Sequence, residues 1–206
     1  MEENLQVSKT LGITLKKLRL EHGLTLQDMA EKTDLSAGFL SKVERNLSNP
    51  SINNLQKICY ALNITVNDLA APVTPADDGD RGDASQQGNK KTTIFRRAER
   101  SLIYNMNDMI KLESIAADCE DIKLDAMTLD GDDAGYMSSK HWYDEIGIIS
   151  TGKIGIKVEG RDEYVMEKGD AILIPANTEH TVRKLSDEKS ISFWIKVVGE
   201  EHGPTP

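Results

Sequence analysis

The spacing of the apolar residues changes once along this chain of 206 residues. From residue 9 to about residue 71, apolar side chains recur at three- and four-residue intervals, which is typical of amphipathic helices. From residue 92 to residue 198 they mostly alternate with polar side chains, which is typical of strands with one buried face. The two patterns in succession predict a multidomain α+β protein, with an all-α domain followed by an all-β domain.

Residues 72–91 separate the two patterns and offer almost no apolar side chains to bury. The stretch contains Pro72, Pro75 and three glycines among aspartate and glutamine residues. Such a composition is typical of a flexible linker, because it cannot offset the entropy that is lost on folding. We therefore predict domains at 1–71 and 92–206, joined by a flexible linker at 72–91.

The net charge of −9 is concentrated in the second half of the chain. Residues 1–72 hold 8 basic and 8 acidic side chains, whereas residues 92–206 hold 14 basic and 22 acidic ones. A neutral helical domain can still bind nucleic acid if its basic side chains share one face. No apolar run approaches the roughly 20 residues that span a bilayer, and the acidic N-terminus is unlike a secretory signal. We expect a cytoplasmic protein with no membrane partner.

The helical half predicts five short helices. Thr25 and Ser36 are good N-caps, and Gly23 follows the expected end of the first helix. Residues 49–51, with the sequence Asn-Pro-Ser, would break the chain and restart it as the fourth helix. A tight turn at residues 33–35 would join the second and third helices, which is typical of a helix-turn-helix arrangement. A small helical bundle without this function is the alternative, and the helical periodicity alone does not decide between the two.

Two sequence motifs in this half are more specific. The motif Ser-x-x-x-Leu-Ser-x-Val-Glu begins at Ser36, and the motif Pro-Ser-x-x-x-Leu-x-x-Ile-x-x-Ala-Leu begins at Pro50. Together with residues 25–33, they closely resemble the XRE (lambda-repressor-like) family of DNA-binding domains, over residues 9–70. The resemblance implies that double-stranded operator DNA is a partner and that the third helix enters the major groove by its N-terminal end.

The resemblance also implies which side chains face DNA. Gln27 matches a position that contacts phosphate or supports the third helix, and Lys42 and Arg45 offer the best electrostatic contacts. Ala37 and Gly38 are short where some relatives carry longer base-reading side chains, although an alanine methyl can meet a thymine methyl. The expected DNA-facing set is Gln27, Ser36, Ala37, Gly38, Ser41, Lys42 and Arg45.

The second half predicts about ten short strands, from residues 92–97 to residues 190–198, without an intervening helix. Such a series is typical of an antiparallel sandwich or jelly roll. Residues 139–145 and 169–180 carry the spacings Glu145-x6-Gly and Gly-x5-Pro-x4-His180, which resemble the two motifs of the cupin family. Ser139 stands where cupins often have their first histidine. The resemblance implies an all-β cupin domain, a jelly-roll barrel, over residues 105–198.

His141, Glu145 and His180 are the candidate metal ligands in this barrel. His141 and Glu145 lie four residues apart and would point to the same side of a strand, while His180 comes from a different strand. Two imidazoles and one carboxylate suit Fe(II), with Zn, Ni or Mn as other candidates. A buried histidine that is hydrogen-bonded to glutamate without any metal is the alternative, since such a pair is stable in its own right.

The two halves together predict a sequence-specific DNA-binding transcription regulator whose barrel senses a small molecule, a metal or both. We expect a homodimer, because helix-turn-helix domains usually bind two half-sites about 34 Å apart. The alternative is a mononuclear non-haem iron oxidase, since the layout and the three metal-ligand candidates also resemble the hydroxypropylphosphonic acid epoxidases. The full DNA-reading pattern favours a regulator that is not an enzyme, and we assign no catalytic residue.

Overall fold

The helical half folds as four α-helices and one short 3-10 helix. The structure, a computed structural model, describes residues 5–7, 10–69, 94–116, 121–131 and 137–198. The helices are α1 (Leu11–Glu21), α2 (Leu26–Thr33), α3 (Ala37–Glu44) and α4 (Ile52–Leu62), followed by the 3-10 helix Val66–Leu69. The predicted short fifth helix is therefore present, but as a 3-10 helix rather than an α-helix. The Asp68 carboxylate accepts hydrogen bonds from the Thr65 N–H and hydroxyl at 2.7 and 2.8 Å, which ties this segment into one tight turn.

The predicted helix starts are confirmed by their capping hydrogen bonds. The side-chain oxygens of Thr25, Ser36 and Ser51 each accept a backbone N–H three residues ahead, at 3.1, 3.1 and 3.3 Å. At the end of α1, Gly23 has a φ of +66°, which glycine adopts without steric cost. These local signals fix the end of α1 and the starts of α2, α3 and α4.

A buried ion pair ties α1 to α3. The Arg19 guanidinium donates to both Glu44 carboxylate oxygens, at 2.6 and 3.0 Å, and a third donor bonds the Leu24 carbonyl at 2.6 Å. Nearby, Gly12 lies so close to α3 that a Cβ atom there would be 2.5 Å from the Val43 carbonyl oxygen. These contacts hold α3 at a fixed angle to the rest of the helical domain.

We expect the Glu44→Gln substitution to lower the free energy of unfolding by about 3 kcal/mol, because it leaves the buried Arg19 charge without its counter-ion. Urea unfolding measures this loss. Glu31→Gln, at an exposed position of α2, is the matched control. Equal stabilities of the two variants would contradict the role of the pair.

The described part of the second half is β-rich, as predicted, and its ten strands form two sheets together with the N-terminal strand β1. The strands are β1 (Leu5–Val7), β2 (Ser101–Met106), β3 (Ile110–Ala116), β4 (Ile122–Leu129), β5 (Met137–Ser139), β6 (Asp144–Thr151), β7 (Lys153–Val158), β8 (Glu163–Glu167), β9 (Ala171–Ile174), β10 (His180–Lys184) and β11 (Ser190–Val197). One sheet has the order β1-β2-β3-β4-β11-β6-β9 and the other β5-β10-β7-β8, with antiparallel pairing throughout.

Three strand assignments differ from the sequence prediction. The expected strand at 92–97 is wrong where the structure describes it, because residues 94–96 are irregular and a 3-10 helix begins at Arg97. A hydrogen bond of 2.9 Å from the Arg96 N–H to the Glu99 carboxylate favours this turn over an extended chain. The short strands β1 and β5 were missed, since three residues are too few to show alternation.

The helical and β regions pack directly against each other. The Ser138 N–H donates to the Asn53 side chain at 3.2 Å, and the Tyr60 hydroxyl donates to the Asn177 side chain at 3.3 Å. The N-terminal strand β1 also pairs with β2 of the larger sheet. The predicted linker 72–91 lies outside the described residues. No helix in the described part of the chain is both long and apolar enough to cross a membrane.

Candidate nucleic-acid interface and metal centre

The structure places six of the expected DNA-facing residues on α3 or at its two caps, and Gln27 near the start of α2. Gln27, Ser36, Gly38, Lys42 and Arg45 are exposed. Ala37 and Ser41 are half-buried. The inward side of the same helix buries Leu40 and Val43, so the helix divides cleanly into a core face and a free face.

Two details refine this surface. Arg45 is the C-cap of α3 rather than a residue of the helix, and its guanidinium Nε donates to the Ser41 carbonyl at 3.2 Å. A Cβ atom at Gly38 would meet nothing within 4 Å, so this position leaves room for the close approach of a second molecule. Glu44 lies in the buried pair with Arg19 and supports the domain from within.

The barrel brings His141, Glu145 and His180 together. The Glu145 Oε2 atom lies 3.1 Å from His141 Nε2 and 3.7 Å from His180 Nε2, and all three side chains are buried. One ligand atom from each residue lies within 4.8 Å of the others. His141 does not lie on a strand as expected but in the loop before β6, where its ring stacks on Tyr143 at 4.2 Å between centroids.

The hydrogen bonds of the two histidines aim their free nitrogen atoms at Glu145. His141 Nδ1 lies 2.7 Å from the Tyr143 carbonyl, and His180 Nδ1 lies 3.1 Å from the Thr178 carbonyl. A carbonyl only accepts, so each Nδ1 atom carries a proton, and the lone pair of a neutral ring lies on Nε2. Two nitrogen lone pairs and a carboxylate oxygen then converge, an arrangement that a divalent cation between them would stabilise.

The protonation states fit the same arrangement. Burial lowers the pKa of His180, which favours the neutral ring that a metal ligand needs. Without a metal, His141 Nε2 would instead share a proton with Glu145: burial disfavours the charged form of Glu145, but this hydrogen bond and the nearby positive charge outweigh it and hold the pKa of Glu145 below its usual value. The three residues present fit a divalent metal, which would supply a Lewis acid with open positions.

The cavity around this triad is small, and residues of the helical region line part of it. Its volume is about 30 Å³, enough for about one or two water molecules. The two sheets supply most of its wall, including Leu112, Met127 and Trp194. Gln56 of α4 and Val66 of the 3-10 helix complete it.

A second polar group in the cavity was missed at the sequence level. Lys196 on β11 is 2% exposed, and its ammonium lies 3.0 Å from the Asp125 carboxylate and 2.7 Å from the side-chain oxygen of Asn67. The Asn67 amide also donates to Ser114 and to the Leu124 carbonyl, at 3.1 and 3.2 Å. The sequence did contain a signal for this polar group. The inward-facing positions of β11 are Ser190, Ser192, Trp194 and Lys196, and all of them except Trp194 are polar.

Comparisons with known proteins agree with the division of the chain into a helical domain and a β domain. The family model described as helix-turn-helix matches residues 15–69, and the model of the cupin domain matches residues 127–196. The chain is 36% identical to the HTH-type transcriptional regulator SutR of Escherichia coli (strain K12) over 93 residues. These aligned residues make up 45% of this chain. It spans only about half, 51%, of the length of SutR.

A second relative is covered over most of its own length. The chain is 32% identical over 97 residues, 47% of its length, to the transcriptional regulator ClgR of Mycobacterium tuberculosis (strain ATCC 25618 / H37Rv), of which 81% is covered. The chain therefore belongs to the helix-turn-helix family of transcriptional regulators, and it carries a cupin domain after its helix-turn-helix domain. These named relatives are regulators rather than enzymes.

The two-domain fold is also found in a solved structure. A crystal structure of a transcriptional regulator of the HTH_3 family from Vibrio cholerae superposes with a TM-score of 0.67. The superposition covers 93% of this chain and 96% of that one, at 20% sequence identity. The likeness shows that both proteins share the fold.

Proposed function

We propose that this protein is a sequence-specific DNA-binding transcription regulator that is controlled from its barrel. The α3 surface with Lys42 and Arg45 binds operator DNA, and His141, Glu145 and His180 hold a divalent metal in a cavity that also takes a small effector. One observation carries the proposal: the domain that presents α3 to solvent also supplies Gln56 and Val66 to the wall of the metal cavity. We also propose a cytoplasmic location, in keeping with this role.

The coupling of the two sites follows from that shared domain. A ligand shifts the equilibrium between two placements of the helical domain only by its difference in affinity for them. A cavity of about 30 Å³ leaves little space beside a metal ion. A bulky effector therefore fits best if α4 and the 3-10 helix move away from the barrel.

The test is selection of double-stranded DNA fragments by the full chain from a random-sequence pool, followed by measurement of affinity at several salt concentrations. We expect one recurrent sequence, bound at least about a thousandfold more tightly than unrelated DNA. Selection of no common sequence, with equal affinity for all DNA, would contradict sequence-specific regulation.

We further propose that the outer face of the larger sheet forms a homodimer. Alternate residues of a strand face opposite sides, so Trp194 and Lys196 point into the cavity while Phe193 and Ile195 point outward. The outward residues are register neighbours of apolar residues on β6 and β9, including Ile148 and Leu173, which are 37% and 61% exposed. Such a contiguous apolar face marks an interaction site.

Leu173→Asp is expected to convert the dimer into a monomer, because it buries an unpaired charge in the proposed interface. Val165→Asp is the matched control, since Val165 is 55% exposed on the smaller sheet. Sedimentation velocity of both variants reads the oligomeric state. An unchanged dimer in Leu173→Asp, or a monomeric wild type, would contradict the interface.

A further inference from the structure

Lys196 and Asn67 connect the barrel cavity to the helical domain. Lys196 faces the cavity from β11, directly beside Glu145 in the register of β6. Its ammonium has three N–H donors, and the structure gives it two partners among the described residues, the Asp125 carboxylate and the Asn67 side-chain oxygen. A buried ammonium is costly unless its charge and its donors are satisfied. One donor is therefore left for a ligand in the cavity.

The net charge of the cavity determines the sign of the charge that the ligand should carry. Glu145 and Asp125 are negative, Lys196 is positive, and metal-bound imidazoles are neutral. A divalent cation at the triad then leaves a net charge of +1 in a buried space. Burial raises the pKa of Asp125, and its protonation would only increase the positive excess. A buried positive excess favours a monoanion.

The size of the cavity determines what the ligand must displace. At about 30 Å³ the space leaves little room for a carboxylate beside a metal ion. The wall on the helical side consists of Gln56 and Val66, and Asn67 follows Val66 on the 3-10 helix. Asn67 also occupies one donor of Lys196 at 2.7 Å. An anion that moves this wall outward removes Asn67 and frees a second Lys196 donor in addition to the third one, so that both carboxylate oxygens can be bonded.

We propose that Lys196 is the anion-binding residue of the cavity, that its ligand is a small monocarboxylate, and that the carboxylate competes with Asn67 of the helical domain for the Lys196 ammonium. This inference rests on the proposed function, because it requires a metal at His141, Glu145 and His180. It makes Asn67 the residue through which the helical domain responds to the contents of the barrel.

The probe is acetate, titrated into the full chain loaded with Co²⁺ in a carboxylate-free buffer. Binding is followed by the visible absorption of Co²⁺ and by calorimetry, with neutral acetamide as the ligand control. We expect Lys196→Met to bind acetate at least about tenfold more weakly than wild type, since a charge-assisted hydrogen bond is lost. Lys196→Arg should retain most of the affinity, and Lys153→Met, an exposed lysine at the start of β7, should match wild type.

Asn67→Ala separates competition from a merely structural role. If Asn67 competes with the ligand, its removal should tighten acetate binding by about three- to tenfold, whereas damage to the site would weaken it. This variant leaves Lys196 in place and decides the question even if Lys196→Met does not fold. In the wild type, acetate should also speed amide hydrogen exchange in residues 52–69.

The outcomes distinguish this inference from the proposed function. If the wild type binds no Co²⁺, the proposal of a metal centre is wrong, and the proposed role of Lys196 is wrong as well. If Co²⁺ is held by the triad but Lys196→Met binds acetate as tightly as wild type, only the role of Lys196 is overturned. Acetate binding by Asn67→Ala that is no tighter than in wild type, or exchange in residues 52–69 that does not change, overturns the competition.

Discussion

The His180→Ala variant is expected to bind Co²⁺ at least about a hundredfold more weakly than the wild type. Loss of a residue that only supports a ligand typically costs ten- to a hundredfold in metal affinity, and His180 is itself a proposed ligand. Its Nε2 atom lies 3.7 Å from the Glu145 carboxylate, and a carbonyl hydrogen bond fixes its ring. Competition with a chelator of known affinity measures the change.

The matched control for this variant is His22→Ala. His22 is exposed at the end of α1, and its ring bonds the Leu18 carbonyl at 2.8 Å. We expect its Co²⁺ affinity to equal that of the wild type. Retention of tight, stoichiometric Co²⁺ binding by His180→Ala would show that the buried triad is a hydrogen-bonded cluster and not a metal centre.

The double variant Lys42→Ala/Arg45→Ala is expected to bind every DNA sequence about ten- to a hundredfold more weakly at moderate salt. Lys42 on α3 and Arg45 at its C-cap are exposed and are proposed to contact phosphates. Their loss should therefore weaken binding to selected and to unrelated DNA by the same factor. The slope of the logarithm of affinity against the logarithm of salt concentration should become shallower by about 2, roughly one for each phosphate contact.

The control for this variant is Lys153→Ala/Lys189→Ala, which removes two exposed cations from the barrel. It changes the net charge by the same amount, so a purely global effect of charge would weaken DNA binding equally in both proteins. Fluorescence anisotropy over a range of salt concentrations measures the affinities. An unchanged salt slope in Lys42→Ala/Arg45→Ala would contradict the assignment of these two residues to phosphate contacts.

Local signals explain why the helical domain was predicted well. Helix starts depend on a side chain that caps its own backbone, so Thr25, Ser36 and Ser51 could be identified without knowledge of the tertiary structure. The same applies to the glycine that ends α1. The 3-10 helix was not distinguished from a fifth α-helix, because four residues show no helical period and the tie between Thr65 and Asp68 is specific to that turn.

The metal-ligand candidates were identified for a reason that is only partly correct. The motif spacing selected His141, Glu145 and His180, and the structure brings all three together. However, a loop and not a strand carries His141, so alternation along one strand does not explain its orientation. Its position depends on the hydrogen bond to the Tyr143 carbonyl and on ring stacking, which a sequence pattern does not contain.

The contacts between the domains could not be predicted from either half alone. Asn67 looks like an ordinary polar residue of a short helix until the fold places it 2.7 Å from a lysine 129 positions away. Gln56 lies on a helix whose apolar stripe gave no sign that its other side meets a barrel. These residues make the barrel cavity and the DNA-reading domain parts of one structure, which neither family motif implies.

One titration decides whether the barrel controls DNA binding. The affinity of the full chain for its selected DNA site is measured with Co²⁺ and acetate present, and again after both have been removed. We expect the two affinities to differ by about fivefold or more, the usual range for coupled sites, and to coincide in His180→Ala. Equal affinities in the wild-type protein under both conditions would mean that the two domains work independently and that the proposed control is wrong.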